Sequence, residues 1–187
     1  MPRFSPPTHV LILGLFAALG LTCGGTALAK SAAEIDAEVN AALETFKKET
    51  GAAEELLAKS DGVLVFPKVI KAGLGIGGEY GEGALRIDGK TVDYYSTAAA
   101  SIGLQIGAQS KTVIILFLQQ AALDKFRASS GWEAGVDGSV AVVQVGAGGS
   151  LDTTNIKDPI IGFVLDQKGL MANITLEGAK MTKIVRD

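Results

Sequence analysis

The chain has one cysteine and one histidine in 187 residues, Cys23 and His9, and both lie close to its start. Charge is missing there too: Arg3 is the only charged residue before Lys30. An apolar run from Val10 to Leu21 is followed by the small-x-small pattern Ala27-Leu28-Ala29. That order reads as a signal peptide, residues 1–29, removed before Lys30. The apolar run is too short and too weakly flanked to read as a membrane span. Residues 30–187 then form one domain with neither cysteine nor histidine. Its chemistry excludes disulfides, Cys or His nucleophiles, His general bases and His/Cys zinc sites. Carboxylates, Lys, Ser/Thr and Tyr remain. Thr22 precedes Cys23 where a lipidation site wants Gly, Ala or Ser, so a soluble exported, periplasmic protein is expected, with a lipid anchor at Cys23 as the lesser alternative.

Basic residues are also in deficit. Seventeen Lys and Arg face 20 Asp and Glu, a net charge of −3, which becomes −4 when Arg3 leaves with the leader. A mildly acidic domain is not a general nucleic-acid binder.

What the chain has in abundance is glycine, 24 residues. In 62–83, GVLVFPKVIKAGLGIGGEYGEG, a β-branched run is broken by Pro67, and glycines alternate with Leu74 and Ile76. Period two implies a strand with one face bare of side chains. Glycine weakens a strand, so Gly73, Gly75, Gly77 and Gly78 point to something approaching the backbone closely: a helix, a second sheet or a ligand. Gly73, Gly75 and Gly78 also fit G-x-G-x-x-G. The sequence that follows, Glu79-Tyr80-Gly81-Glu82-Gly83, opens no helix, and the β-α-β context of a dinucleotide site is missing.

Ser31 with Glu34 predicts a capping box for a helix over 31–50, with Ile35, Val39, Ala42, Leu43 and Phe46 on one face. A short helix is expected over 52–59. Strands follow: 63–66, then 72–80 pairing with 83–87, a hairpin at Asp88-Gly89, 101–108, and a buried run at 112–118. A helix is expected over 121–128. A long alternating strand over 136–145, a hairpin between 160–165 and 170–176, and a last strand over 180–185 complete the order. The fold class is therefore α+β: N-terminal helices and a predominantly antiparallel sheet, barrel-like or a sandwich, with one short helical insertion.

The segments GVLVFPKV (62–69), KAGLGIGGEYGEG (71–83), Tyr94-Tyr95, GLQIGAQS (103–110), ALDKF (122–126), VGAGG (145–149), KGLM (168–171) and LEG (176–178) resemble the SYLF domain family over about residues 36–185. The resemblance implies a non-enzymatic, lipid-binding module that meets phospholipid or other anionic headgroups at a membrane surface. Eukaryotic members bind phosphoinositides, and fungal ones also bind actin. An exported protein is not expected to meet actin. The polar face of 31–50 carries Glu34, Asp36, Glu38 and Glu44, which departs from a basic membrane-surface helix.

Within this frame Lys68, Lys71 and Lys111 bracket glycine-alternating strands, and three ammonium groups with glycine N–H groups would hold a phosphate. Solvated surface lysines are the alternative. Tyr94, Tyr95 and Trp132 suit a lipid interface or a core equally. Glu79 and Glu82, with Asp88 beyond, could act as an acid/base pair or bind a hard cation, but surface carboxylates are expected. Asn173-Ile174-Thr175 is a glycosylation sequon. The polar loop Asp152–Asp158 matches no calcium-loop spacing. No cofactor or metal is expected. A structural or protein-interaction module using a strand edge at 136–149 is the competing function, and a carboxylate hydrolase a more distant one.

Overall fold

A computed structural model describes residues 29–143, 157–166, 169–170 and 176–187. Residues 1–28 of the leader, the sequon, residues 152–156 of the polar loop and the VGAGG segment lie outside them.

The capping box forms as expected. Ser31 Oγ accepts the Glu34 N–H at 3.3 Å, and the Glu34 carboxylate accepts the Ser31 N–H at 2.8 Å. The Ser31 N–H and, after it, the Ser31 hydroxyl donate to the Glu34 carboxylate and hold its carboxyl below the usual carboxylate range. Helix α1, Ala32–Glu49, buries Ile35, Val39, Ala42 and Phe46. Helix α2, Ala53–Lys59, buries Ala53 and Leu56.

The next two elements are far longer than the sequence pattern suggests. Strand β1 is continuous from Gly62 to Ile87, and β2 from Lys90 to Phe117. They pair antiparallel along their whole length, from Gly62 opposite Phe117 to Ile87 opposite Lys90. Asp88 and Gly89 turn the chain with positive φ, 50° and 73°, the backbone a tight hairpin demands. Two expectations are corrected here. Residues 72–80 and 83–87 are consecutive parts of one strand, not partners. Pro67 does not end a strand, because the ladder shifts register between Phe66 and Val69. A bulge is where a residue without an N–H costs no ladder bond, and Thr112 Oγ1 donates to the Pro67 carbonyl at 2.8 Å.

A second register shift lies between Gly73 and Gly75, which pair with Gly107 and Gly103. One β1 residue there spans the same stretch as three β2 residues. The hairpin folds over on itself at this point, and the strand on the outside of a bend needs the longer path.

The remaining elements are α3, Gln120–Ala128, then β3, Trp132–Glu133, β4, Ala141–Val142, β5, Ile160–Asp166, β6, Gly169–Leu170, and β7, Lys180–Ile184. Among the described residues the sheet has seven strands in the order β3-β7-β2-β5-β4, with β1 also on β2 and β6 also on β5. Among the described strands only β4–β5 pair in parallel. The fold is α+β, and the sheet curls into a half-barrel. The long strand expected over 136–145 is absent from the described residues: Val136 is 74% exposed, and the Asp137 carboxylate accepts the Glu133 N–H at 2.7 Å, closing a turn.

Strand alternation sends side chains into two cores. Val63, Val65, Ala84, Ile114, Leu116, Ile161, Phe163 and Leu165 pack with α1 and α2, with Phe46 and Phe163 ring centroids 4.7 Å apart. Leu64, Phe66, Val69, Leu85, Tyr95, Val113, Ile115 and Phe117 pack with α3 and β7 in the other. Phe126 of α3 stacks there against Tyr95, Phe117 and Trp132 at 4.9, 4.9 and 5.6 Å.

Candidate phosphate-binding cluster

Four alternate residues of β1, Gly77, Glu79, Gly81 and Gly83, project from one face of the strand. The earlier part of the same strand lies against them. A Cβ at Gly77 would sit 2.3 Å from the Ala72 carbonyl oxygen, at Gly81 2.8 Å from that of Lys68, and at Gly83 1.9 Å from that of Val65. The close approach implied by the glycines is thus made by β1 itself, folded back through its bend. Gly78 takes no part, since a Cβ there would meet only the Ala99 carbonyl at an ordinary 3.7 Å. Gly73 supplies a Cα that a Gly77 Cβ would crowd at 2.9 Å, and Gly75 pairs with Gly103 beside the register shift.

Glu79 is the one residue of that alternating set with a side chain. Its carboxylate is 15% exposed and takes a cation on each oxygen: Lys111 Nζ at 2.6 Å from Oε2 and Lys71 Nζ at 3.8 Å from Oε1. Lys111 belongs to the register pair Val69–Lys111, and Lys71 pairs with Gln109. The three groups continue the face that buries Val69 and Val113, so they close the end of that core toward the bend. One carboxylate balances two ammonium groups, which leaves one positive charge over. Lys68 is exposed in the Pro67 bulge and is not part of the cluster. Two of the three lysines picked out from the sequence therefore come together, around a carboxylate that was not assigned to them.

Glu79 and Glu82 are not the surface carboxylates expected. Glu82 is 11% exposed, accepts Arg186 Nη2 at 2.6 Å, and accepts the Tyr80 hydroxyl at 2.9 Å. Three residues apart on a strand, the two acids leave on opposite faces, each with its own cation. That arrangement does not suit shared acid/base work. Among the described residues no group of three or more His, Cys, Asp or Glu could hold a metal ion.

The aromatic candidates are also corrected. Tyr95 and Trp132, each 2% exposed, are core residues against Phe126. The strand face of Tyr95 is inward because its neighbours Leu85 and Val113 share that face. Burial, then the charge of Asp93, pushes the Tyr95 hydroxyl up to about 12. Tyr94 takes the other face and donates to Asp36 Oδ2 of α1 at 3.0 Å. Asp36 also accepts Thr91 Oγ1 at 2.7 Å and faces Arg86 Nη2 at 3.7 Å. This knot pins α1 to the turn end of the hairpin. Asp93 is paired with Lys183 and Arg127, joining β2 to β7 and α3.

Sequence reasoning named the lysines and missed Glu79, Gly81 and Gly83 as one set. The signal was present as the period-two register Gly77, Glu79, Gly81, Gly83. No described helix is long and apolar enough to cross a membrane. The family model described as Ysc84, Las17-binding protein actin regulator, matches residues 98–185, from within β2 through β7. No curated protein matches the chain.

Proposed function

We propose, from the match of residues 98–185 to the Ysc84 (SYLF) family model, that this chain is a non-enzymatic protein that binds anionic phospholipid headgroups at a membrane surface. The observation that carries the reading is the Lys71–Glu79–Lys111 cluster, in which two half-buried ammonium groups share one carboxylate. A phosphate brings the charge and the several acceptor oxygens that such a pair can satisfy. Lys68, exposed in the neighbouring bulge, adds charge on the approach. With residues 1–29 read as a leader, the membrane is that of the cell envelope and the compartment the periplasm. The actin regulation in the family's description then has no partner to act on.

Co-sedimentation of the purified protein with vesicles tests this. Binding is expected to need anionic lipid and to fade as salt shortens the reach of surface charge, about 10 Å at 0.1 M. Lys71→Ala with Lys111→Ala is expected to weaken it on the order of tenfold or more, at about 1 kcal/mol per basic residue near an anionic surface. A protein that sediments with no vesicle of any composition overturns the reading.

A further inference from the structure

The cluster is occupied from within, and this occupation has a functional meaning that rests on the headgroup reading above. We propose that Glu79 is an internal counter-ligand: its carboxylate holds the seat that a phosphate ester takes, and binding exchanges one anion for the other. Both carboxylate oxygens face a lysine, Oε2 at 2.6 Å and Oε1 at 3.8 Å. The space beside Glu79 is fixed by backbone contact on either side. Gly77 abuts Ala72 and Gly73, and Gly81 abuts Lys68 and Val69. The two arms of the bend thus lie in direct contact on both sides of Glu79 and leave no gap there for a second anion beside the first. A phosphate must displace the carboxylate. On the free protein, Glu79 spares two ammonium groups their burial without a partner. On a membrane, it sets a threshold: the surface must be anionic enough to outcompete an attached carboxylate.

Glu79→Gln keeps the size of the side chain, removes the charge and turns one of the two acceptor oxygens into an NH2 donor. Its affinity for vesicles of phosphatidylglycerol in phosphatidylcholine is expected to rise roughly fivefold, the factor for one elementary charge at an anionic surface. Binding to pure phosphatidylcholine stays as in the parent. A second arm measures the rise in melting temperature with glycerol phosphate, which is expected to be larger in Glu79→Gln than in the parent.

Unchanged or weaker vesicle binding in a folded Glu79→Gln protein overturns the proposal while leaving the headgroup reading intact if the parent binds. Binding by the variant alone supports the proposal. A gain with glycerol phosphate alone also overturns the proposal as stated and points to a free phosphate ester in place of a membrane, and no binding by either protein in either arm overturns both readings. Should Glu79→Gln fail to fold, Glu79→Asp, whose carboxylate stands one methylene further back from both ammonium groups, takes its place with the same expected direction.

Discussion

Alanine placed at four glycines of β1, one at a time, tests whether the hairpin folds back on itself as described. The distances set an order. A methyl at Gly83 would lie 1.9 Å from the Val65 carbonyl oxygen and 2.8 Å from a Phe66 ring carbon. Neither can yield freely, since Val65 and Phe66 are fully buried. Gly83→Ala is expected to cost about 3 kcal/mol or more, the upper end of the range for overpacking. At Gly77 the methyl would meet the Ala72 carbonyl at 2.3 Å, nearer the bend and with less packed around it, and a loss of about 2 kcal/mol is expected. At Gly81 the contacts are 2.8 Å to the Lys68 carbonyl and 2.9 Å to a Val69 methyl, for a loss of about 1–2 kcal/mol. Gly78 is the control. Its methyl would stand 3.7 Å from the nearest atom, so Gly78→Ala is expected to stabilise by about 0.5 kcal/mol through the lost freedom of the unfolded chain. Urea denaturation midpoints at constant slope give the four values. Four variants within about 0.5 kcal/mol of one another, or Gly78→Ala as damaging as Gly83→Ala, would refute the fold-back and with it the geometry around Glu79.

Asp36→Asn removes the charge that Thr91, Tyr94 and Arg86 converge on, and a loss of about 1–3 kcal/mol is expected. Combined with Tyr94→Phe it should be non-additive by at least about 0.5 kcal/mol in a denaturation cycle, and simple additivity would remove Asp36 as the pin of α1. Tyr95 makes stability pH-dependent in the alkaline range. Its folded pKa of about 12 lies above the unfolded value of about 10, so its contribution is full below the unfolded value and disappears as pH rises through that window. The contribution is about 2–3 kcal/mol, and Tyr95→Phe should flatten the loss of stability there; parallel curves for the two proteins would sink this account.

Local chemistry was the legible part of the sequence. The Ser31–Glu34 box, the Asp88-Gly89 turn, the α3 face of Leu123 and Phe126 and the last strand all rest on neighbours within a few residues, and all are present. What escaped depends on contacts that sequence spacing does not specify. Pro67 looked like a strand end because a bulge is defined by the partner strand, here at Thr112. Tyr95 and Trp132 are amphipathic by type, and only the meeting of β2, β7 and α3 around Phe126 decides that they face inward. The alternation in 136–145 resembles one long strand, but Asp137 accepts the Glu133 N–H and turns the chain, and among the described residues there only Ala141–Val142 is strand. Lys71 and Lys111 were visible as charges near glycine-rich strands. Their convergence on Glu79 needed the bend at Gly73–Gly75, which brings residue 79 back over residue 71.

The continuity of β1 and β2 has a consequence for how the chain assembles. The hairpin can close outward from Asp88-Gly89, each new pair adding to the last, well before later residues are needed. The opposite edge of β2 waits. Its Tyr94–Ala98 stretch is covered only by β7, and its Thr112–Phe117 stretch only by β5. Until those arrive, a row of unpaired backbone groups stands beside Val113 to Phe117, among the most apolar residues of the protein. The half-formed molecule is therefore its own most dangerous partner: two such hairpins offer each other matching edges. Slow synthesis or loss of β5 or β7 would turn the chain toward aggregates, and the charged pair between Lys183 and Asp93 marks where the last strand latches.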